Sequence, residues 1–230
     1  MRQGAVGEVR LVMREGQRFV EKRLRDPARH DTELQALRAL EGSGLPIPQV
    51  VDESPGAIVM TELSGTRLDE VDPETRLAGL RASASLLRRL HALDTPTTLP
   101  PAPDDASIVA RYRAADGPRL PLRIPPSSGR VFCHGDWGDG NLLAVDEVVT
   151  GIVDWEAAHV GDPIRELARA AYGASRKDPR SADVLIRAYG ADPADVEAWY
   201  PIHAAGLWLW FRTAGPPEYL AQLTAELHAW

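Results

Sequence analysis

Along the first quarter of the chain, apolar and polar residues alternate with a period of two. In "EVRLVM" Val9, Leu11 and Met13 fall on one face, "REGQ" is a turn around Gly16, and "RFVEKRL" follows. That pattern predicts a β-hairpin. The period then lengthens. In "HDTELQALRALEGSGLPIP" Leu34, Leu37 and Leu40 recur at helical spacing, Asp31 or Thr32 is placed to cap the helix, and Gly42 with Pro46 closes it. The continuous apolar run "AIVMTEL" predicts a buried strand that ends in the polar link "SGTRLDEVD".

From Asp72 onward the pattern turns helical. Asp72 caps, Pro73 opens the first turn, and Leu77, Leu80, Ala84 and Leu87 recur to about Leu93. Residues 94–130 are proline-rich and read as a surface excursion carrying one short helix, "DDASIVARYRAAD". The helical segments "IRELARAAYGA", "SADVLIRAYG", "PADVEAWYPIHAAGLWLWFRTA" and "PEYLAQLTAELHAW" follow, with Pro201 kinking the third. No repeat or low-complexity tract interrupts them. The change of character near residues 61–66 predicts an α+β protein of two lobes, a small strand-rich part over 1–63 and a helix-rich part over 64–230.

Composition narrows the function classes. A hydrophobic fraction of 44% and a charged fraction of 26% are ordinary for a globular domain, which excludes disorder and fibre. The single cysteine, Cys133, excludes an intrachain disulfide and fits a reducing cytoplasm. A net charge of −7 argues against a nucleic-acid partner and weakly favours cationic small molecules. No apolar targeting segment opens the chain, and no run approaches the roughly 20 apolar residues of a membrane helix, so no membrane partner is expected. Oligomeric state does not follow from the sequence.

The chemistry concentrates in "VFCHGDWGDGNLLAVDEVVTGIVDWEAAHVGDP". "VFCHGD" and "TGIVDW" each read as an apolar strand ending in an acid, joined by a tight turn through "VDEV". That arrangement would bring Asp136, Asn141 and Asp154 to one rim. Two carboxylates and an amide oxygen are hard donors that suit Mg²⁺ in a site where phosphates supply the remaining ligands. Taken singly, each is an ordinary turn or cap residue. The spacing decides: His-Gly-Asp with Asn five positions beyond the Asp arises by chance in on the order of one in a thousand chains of this length.

"HGDWGDGN", the Asp of "IVDW" thirteen residues later and then "GDP" resemble the signature of the aminoglycoside phosphotransferase family. Its members are related to choline kinases and, more distantly, to protein kinases. The resemblance implies a protein-kinase-like fold and transfer of the γ-phosphate of ATP, with Mg²⁺, to a hydroxyl group. By it Asp136 is the catalytic aspartate, Asn141 and Asp154 hold Mg²⁺, and His134 and Asp162 support the loop.

The resemblance also implies partners elsewhere in the chain. "FVEKR" supplies Lys22 for the phosphates. Glu33 lies near the centre of an apolar stripe, where an acid needs a charged partner, and Lys22 is the candidate; a solvated Glu33 at a helix N-terminus is the alternative. Backbone groups of Thr61, Glu62 and Leu63 would pair with an adenine edge, and Gly4 with Gly7 would form the phosphate-covering loop. Almost nothing precedes "GAVGEV", so the strand that family members place ahead of this loop is missing. His91 and Cys133 read as core residues.

The acceptor is less legible. Family acceptors are polar hydroxyl compounds, often cationic, and acids near the C-terminal helices bind their amines. Candidates here are Asp139, Glu156, Glu218 and Glu226, with Trp155, Trp208 and Trp230 as walls. Three readings follow: an antibiotic kinase of aminoglycoside type, a metabolite kinase with a choline-like, sugar or amino-alcohol acceptor, and a non-catalytic relative that binds nucleotide or drug.

Overall fold

The computed structural model describes residues 2–3 and 7–230. Gly4 lies outside them. A five-stranded antiparallel sheet opens the fold, built from β1 (Arg2–Gln3), β2 (Gly7–Arg14), β3 (Gln17–Leu24), β4 (Val50–Ser54) and β5 (Ala57–Thr61) in the order β1-β2-β3-β5-β4. Glu15 and Gly16 both take positive φ (50° and 80°), the two-residue turn whose twist suits a hairpin. Gly7 is required by close approach, since a Cβ there would sit 2.6 Å from the Arg23 carbonyl oxygen. The strand expected to be missing is present as β1, two residues long, with Arg2 opposite Val9.

Helix α1 (Pro27–Ala39) crosses this sheet and begins earlier than the Asp31 or Thr32 cap foreseen. Asp26 is the cap: its carboxylate accepts the Ala28 amide at 3.0 Å, and Pro27 fills the first turn where no amide is needed. The Thr32 hydroxyl instead bonds the Ala28 carbonyl inside the helix. Strand β4 carried no periodic signal because it is an exposed, bulged edge strand that buries no face.

Past residue 61 the chain becomes mainly helical. Strand β6 (Thr66–Arg67) already pairs with β8 (Leu142–Val145), whose hairpin partner is β9 (Val148–Ile152), while β7 (Val131–Cys133) pairs with β10 (His159–Gly161). This corrects the expected joining of the two acid-tipped strands. The "VDEV" turn joins β8 to β9, and β7 belongs to another sheet, because the turn at Gly135 and a 3-10 turn at Asp139–Asn141 redirect the chain between them. Helix α2 (Pro73–His91) runs from its Asp72 cap, followed by α3 (Asp105–Ala114), α4 (Pro163–Ser175) and α5 (Arg180–Tyr189). The segment expected as one kinked helix is two, α6 (Pro193–Glu197) and α7 (Tyr200–Thr213), with Pro201 in the first turn of the second. Helix α8 (Pro217–Leu227) completes the fold.

One core runs through both parts, from Leu37, Leu40 and Ile58 through Leu87 and Leu90 to Phe132, Ile152, Trp155 and Leu167. A second cluster, around Tyr112, Tyr172, Trp208 and Leu223, holds α7 and α8. Among the described residues, no helix is long and apolar enough to cross a membrane.

Candidate active site

The pairing of β7 with β10 fixes where the strand stops, and the loop after Cys133 is then shaped by hydrogen bonds to groups far along the chain. Gly135 has φ +83°, and a Cβ there would lie 2.0 Å from the Ala157 carbonyl oxygen, so only glycine fits. Its amide donates to Glu166 Oε1 at 2.6 Å; the other oxygen of Glu166 meets His91 Nε2 at 2.7 Å, and His91 Nδ1 meets the Tyr189 hydroxyl at 2.8 Å. Burial alone would raise the Glu166 carboxyl. The hydrogen bond with His91 outweighs it and holds the group down at about 2.

His134 ties two segments together. Its Nε2 donates to the Val153 carbonyl at 3.0 Å and its Nδ1 accepts the Asp136 amide at 3.1 Å, which requires the neutral ring. The ring packs on Trp155 with centroids 4.5 Å apart. Asn141 Nδ2 donates to the carbonyl (2.9 Å) and Oδ2 (3.1 Å) of Asp136, and the Val153 amide donates to the Asn141 carbonyl at 3.0 Å. With its amide nitrogen committed, the side-chain oxygen is the atom Asn141 can offer a cation. Arg169 Nη2 reaches Asp136 Oδ1 at 2.6 Å. Burial would raise the Asp136 carboxyl, but Arg169, by its charge and its hydrogen bond, and Asn141 hold it below the usual range.

Asp154 stands just past Val153 in the left-handed region (φ 70°, ψ 61°), which is uncommon for a residue with a Cβ and turns the carboxylate out of the strand line. Lys22 comes to meet it from β3. The ammonium lies 2.6 Å from Glu33 Oε2, 2.5 Å from Asp154 Oδ1 and 3.1 Å from Glu156 Oε2, and Arg29 takes the other oxygen of Glu156 at 2.7 Å. Glu33 is therefore a buried partner of Lys22, and the solvated alternative is excluded. Burial would lower the Lys22 ammonium, yet the charges of Glu33 and Asp154 raise it. Glu33 is the deepest of the three acids and shares one ammonium with the others, so burial pushes its carboxyl up to about 7 despite Lys22.

The strand register adds a surface that sequence reasoning did not assign to a site. Val9 pairs with Lys22, Leu11 with Val20 and Val20 with Met60, and paired residues share a face. Val9, Leu11, Met13 and Val20 thus form an apolar stripe leading away from Lys22. Leu11 and Met13 are 58% and 63% exposed, which is unusual for side chains of that size in a sheet. The stripe runs beside the end of β5, where Thr61 pairs with Phe19 and Glu62 with Arg18, and Leu63 continues the chain; Gly7 opens β2 at the other end.

The acceptor candidates are not brought together. Asp139 is buried and held by Arg76 (2.7 Å) and Lys177 (3.0 Å), which makes it a tie between α2 and the 3-10 turn rather than an open amine site. Glu156 belongs to the Lys22 cluster. Glu226 pairs with Arg176 at 3.0 Å, and Glu218 is exposed on α8. Trp155 is wholly buried beneath His134, and Trp208 is core, with its indole bonded to Thr224, so neither is a wall. Trp230 is half-exposed, edge-on to Tyr172. Asp162 caps α4, accepting the Ile164 and Arg165 amides and bonding Ser127 and Ser128. Cys133 is buried, with its thiol pushed up by burial.

Two residues escaped the sequence reading. Glu166 had a signal, an acid on the apolar face of "IRELARAA", which is the argument that located Glu33. Arg169 had none, because a long cationic side chain on a helix surface is ordinary until its partner is seen.

Residues 3–199 match the phosphotransferase enzyme family. Acyl-CoA dehydrogenase family member 10 of Mus musculus is 26% identical over 177 residues, 62% of this chain; the chain spans only 17% of that relative's length. Among solved structures, a thermostable variant of aminoglycoside phosphotransferase APH(4)-Ia with AMP-PNP and hygromycin B superposes with a TM-score of 0.73 at 18% identity, covering 100% of this chain and 91% of that one. The gentamicin complex of APH(2'')-IIa gives 0.70 at 15% identity, covering 99% and 89%. The macrolide 2'-phosphotransferase of Brachybacterium faecium gives 0.68 at 19%, covering 97% and 89%. The fold is the two-lobed α+β fold of these proteins.

Proposed function

Because the chain belongs to the phosphotransferase enzyme family, we propose that it moves the γ-phosphoryl group of ATP, with Mg²⁺, to a hydroxyl of a small molecule. One observation carries the reading. Asp136 and Asn141 are bonded to each other, His134 ties their loop to Val153, and the next residue, Asp154, meets the buried Lys22–Glu33 pair. These contacts support a reading in which an acid for the acceptor hydroxyl, two oxygen donors and a phosphate-seeking cation share one rim.

The roles follow from the chemistry of each group. Asp136, kept ionised, accepts or orients the proton of the acceptor hydroxyl. Asn141 fixes that carboxylate through its amide nitrogen. The side-chain oxygen of Asn141 and the carboxylate of Asp154 are hard donors of the kind Mg²⁺ takes, so the residues present fit the ion. Bound there, Mg²⁺ would supply neutralisation of phosphate charge. Lys22 holds the phosphates, and Glu33 keeps its ammonium in place. The exposed stripe of Val9, Leu11, Met13 and Val20 offers apolar packing for the base, with the backbone of Thr61, Glu62 and Leu63 beside it and Gly7 at the loop end. The link near residues 61–66 is then the hinge between the lobes, which would span 1–63 and 64–230. The work of such a site suits a cytoplasmic protein with access to ATP.

The gentamicin and hygromycin B complexes of the structural neighbours favour an aminoglycoside-type acceptor. The second reading, a metabolite kinase, is favoured by the ion pairs that occupy Asp139, Glu156 and Glu226, the acids that would otherwise bind amines. A coupled ADP-release assay over aminoglycosides, sugars and amino alcohols tests the proposal. Acceptor-dependent ADP release that disappears in Asp136→Ala supports it, and full turnover in that variant overturns it.

A further inference from the structure

Both carboxylate oxygens of Asp136 accept a hydrogen bond from within the chain, Oδ2 from Asn141 Nδ2 at 3.1 Å and Oδ1 from Arg169 Nη2 at 2.6 Å. An acceptor hydroxyl has to approach the same carboxylate. Asn141 is fixed through its backbone, which bonds Gly138 and Val153, whereas Arg169 reaches in from α4 on a long side chain that is 49% exposed. Arg169 is the group that can leave. Released there, the half-exposed guanidinium is open to an incoming carboxylate or phosphate, whose oxygens its planar fork matches.

A second guanidinium, that of Arg176, lies on the same helix face and is paired with Glu226. Arg169, Gly173 and Arg176 recur at i, i+4 and i+7 and so share one face of α4. A Cβ at Gly173 would meet nothing within 4 Å, so the face between the two guanidiniums is open. A polycationic acceptor brought to Asp136 would meet a like charge at the reacting carboxylate. An anionic one would meet its fork-shaped partner.

Resting on the phosphotransferase reading, and taking its metabolite-kinase form over the aminoglycoside one, we propose that the acceptor is an alcohol carrying a carboxylate or phosphate, which Arg169 binds as Oδ1 of Asp136 turns to the hydroxyl. In the transfer, the acceptor oxygen forms a bond to the γ-phosphorus of ATP, the bond from that phosphorus to the oxygen of ADP breaks, and the hydroxyl proton passes to the Asp136 carboxylate.

The test is a charge series of three-carbon alcohols in the ADP-release assay: glycerate, glycerol 3-phosphate, neutral glycerol and cationic 2-amino-1,3-propanediol. The anionic members should exceed glycerol in kcat/KM by at least about tenfold, the two anions together showing which group is preferred. In R169Q that ratio should collapse through KM, and R169K should recover part of it. Equal rates across the series, faster turnover of the cation, or a ratio unchanged in R169Q overturns the inference. Acceptor-independent hydrolysis of Mg-ATP, and its loss in D136N, reports separately on the phosphotransferase reading.

Discussion

Two buried glutamates show how one residue type takes opposite roles from its surroundings. Glu33 shares a single ammonium with two other acids, and burial carries its carboxyl up to about 7. Glu166 receives an amide and an imidazole, and its carboxyl is held at about 2. The pH dependence of stability therefore differs in sign between them. A raised acid binds its proton more readily in the folded state, so stability falls as pH rises from about 4.5 to 7; Glu33→Gln should remove that decline. A depressed acid contributes stability above about 4.5 that is lost as pH falls toward 2; Glu166→Gln should flatten that acid limb. Urea midpoints across pH for the two variants check both signs. Gly135→Ala forces a Cβ against the Ala157 carbonyl at positive φ, and should cost more than about 2 kcal/mol in urea unfolding. At this scale the motif was legible, because His-Gly-Asp, Asn and Asp carry their spacing in the sequence. Arg169 was not, since its meaning lies wholly in a contact made across the fold.

Among elements, periodicity located those that bury one face. The β2–β3 hairpin, β5 and the long α2 announced themselves by spacing and caps, and Lys22 and Glu33 were found because an acid on an apolar stripe needs a partner. Elements that bury little were silent: β4 is an exposed edge, and the two-residue β1 is too short to show a period. The linkage of β7 to β10 was also out of reach, because pairing between strands distant in sequence leaves no local trace. The exposed stripe on β2 was visible as alternation, and only the register showed which face it shared with Lys22. Leu11→Ala is the corresponding test. The side chain is exposed, so folding stability should move by no more than about 0.5 kcal/mol, while Mg-ATP binding weakens roughly threefold to tenfold, as titration calorimetry would read.

For the whole molecule, the proposed site lies where Lys22 and Glu33 meet Asp154. Lys22 and Glu33 come from the sheet and α1, and Asp136, Asn141 and Asp154 from the segment after residue 130. A nucleotide bound at that junction stabilises only the folded chain. Mg-ATP at a hundred times its Kd should add about 2.7 kcal/mol to unfolding, seen as a raised Tm, and EDTA should abolish most of the gain. The acceptor was the least legible part, because three of the four acids offered for binding amines, Asp139, Glu156 and Glu226, are paired with arginines and lysines brought from other elements. The most direct test of the central claim is ³¹P NMR of Mg-ATP with the charge series of alcohols, run on wild type and Asp136→Asn at matched nucleotide occupancy. The account predicts a new phosphomonoester resonance with wild type and a rate at least about 100-fold lower with the variant, although the variant still binds Mg-ATP. The same product forming at the same rate in Asp136→Asn would contradict it.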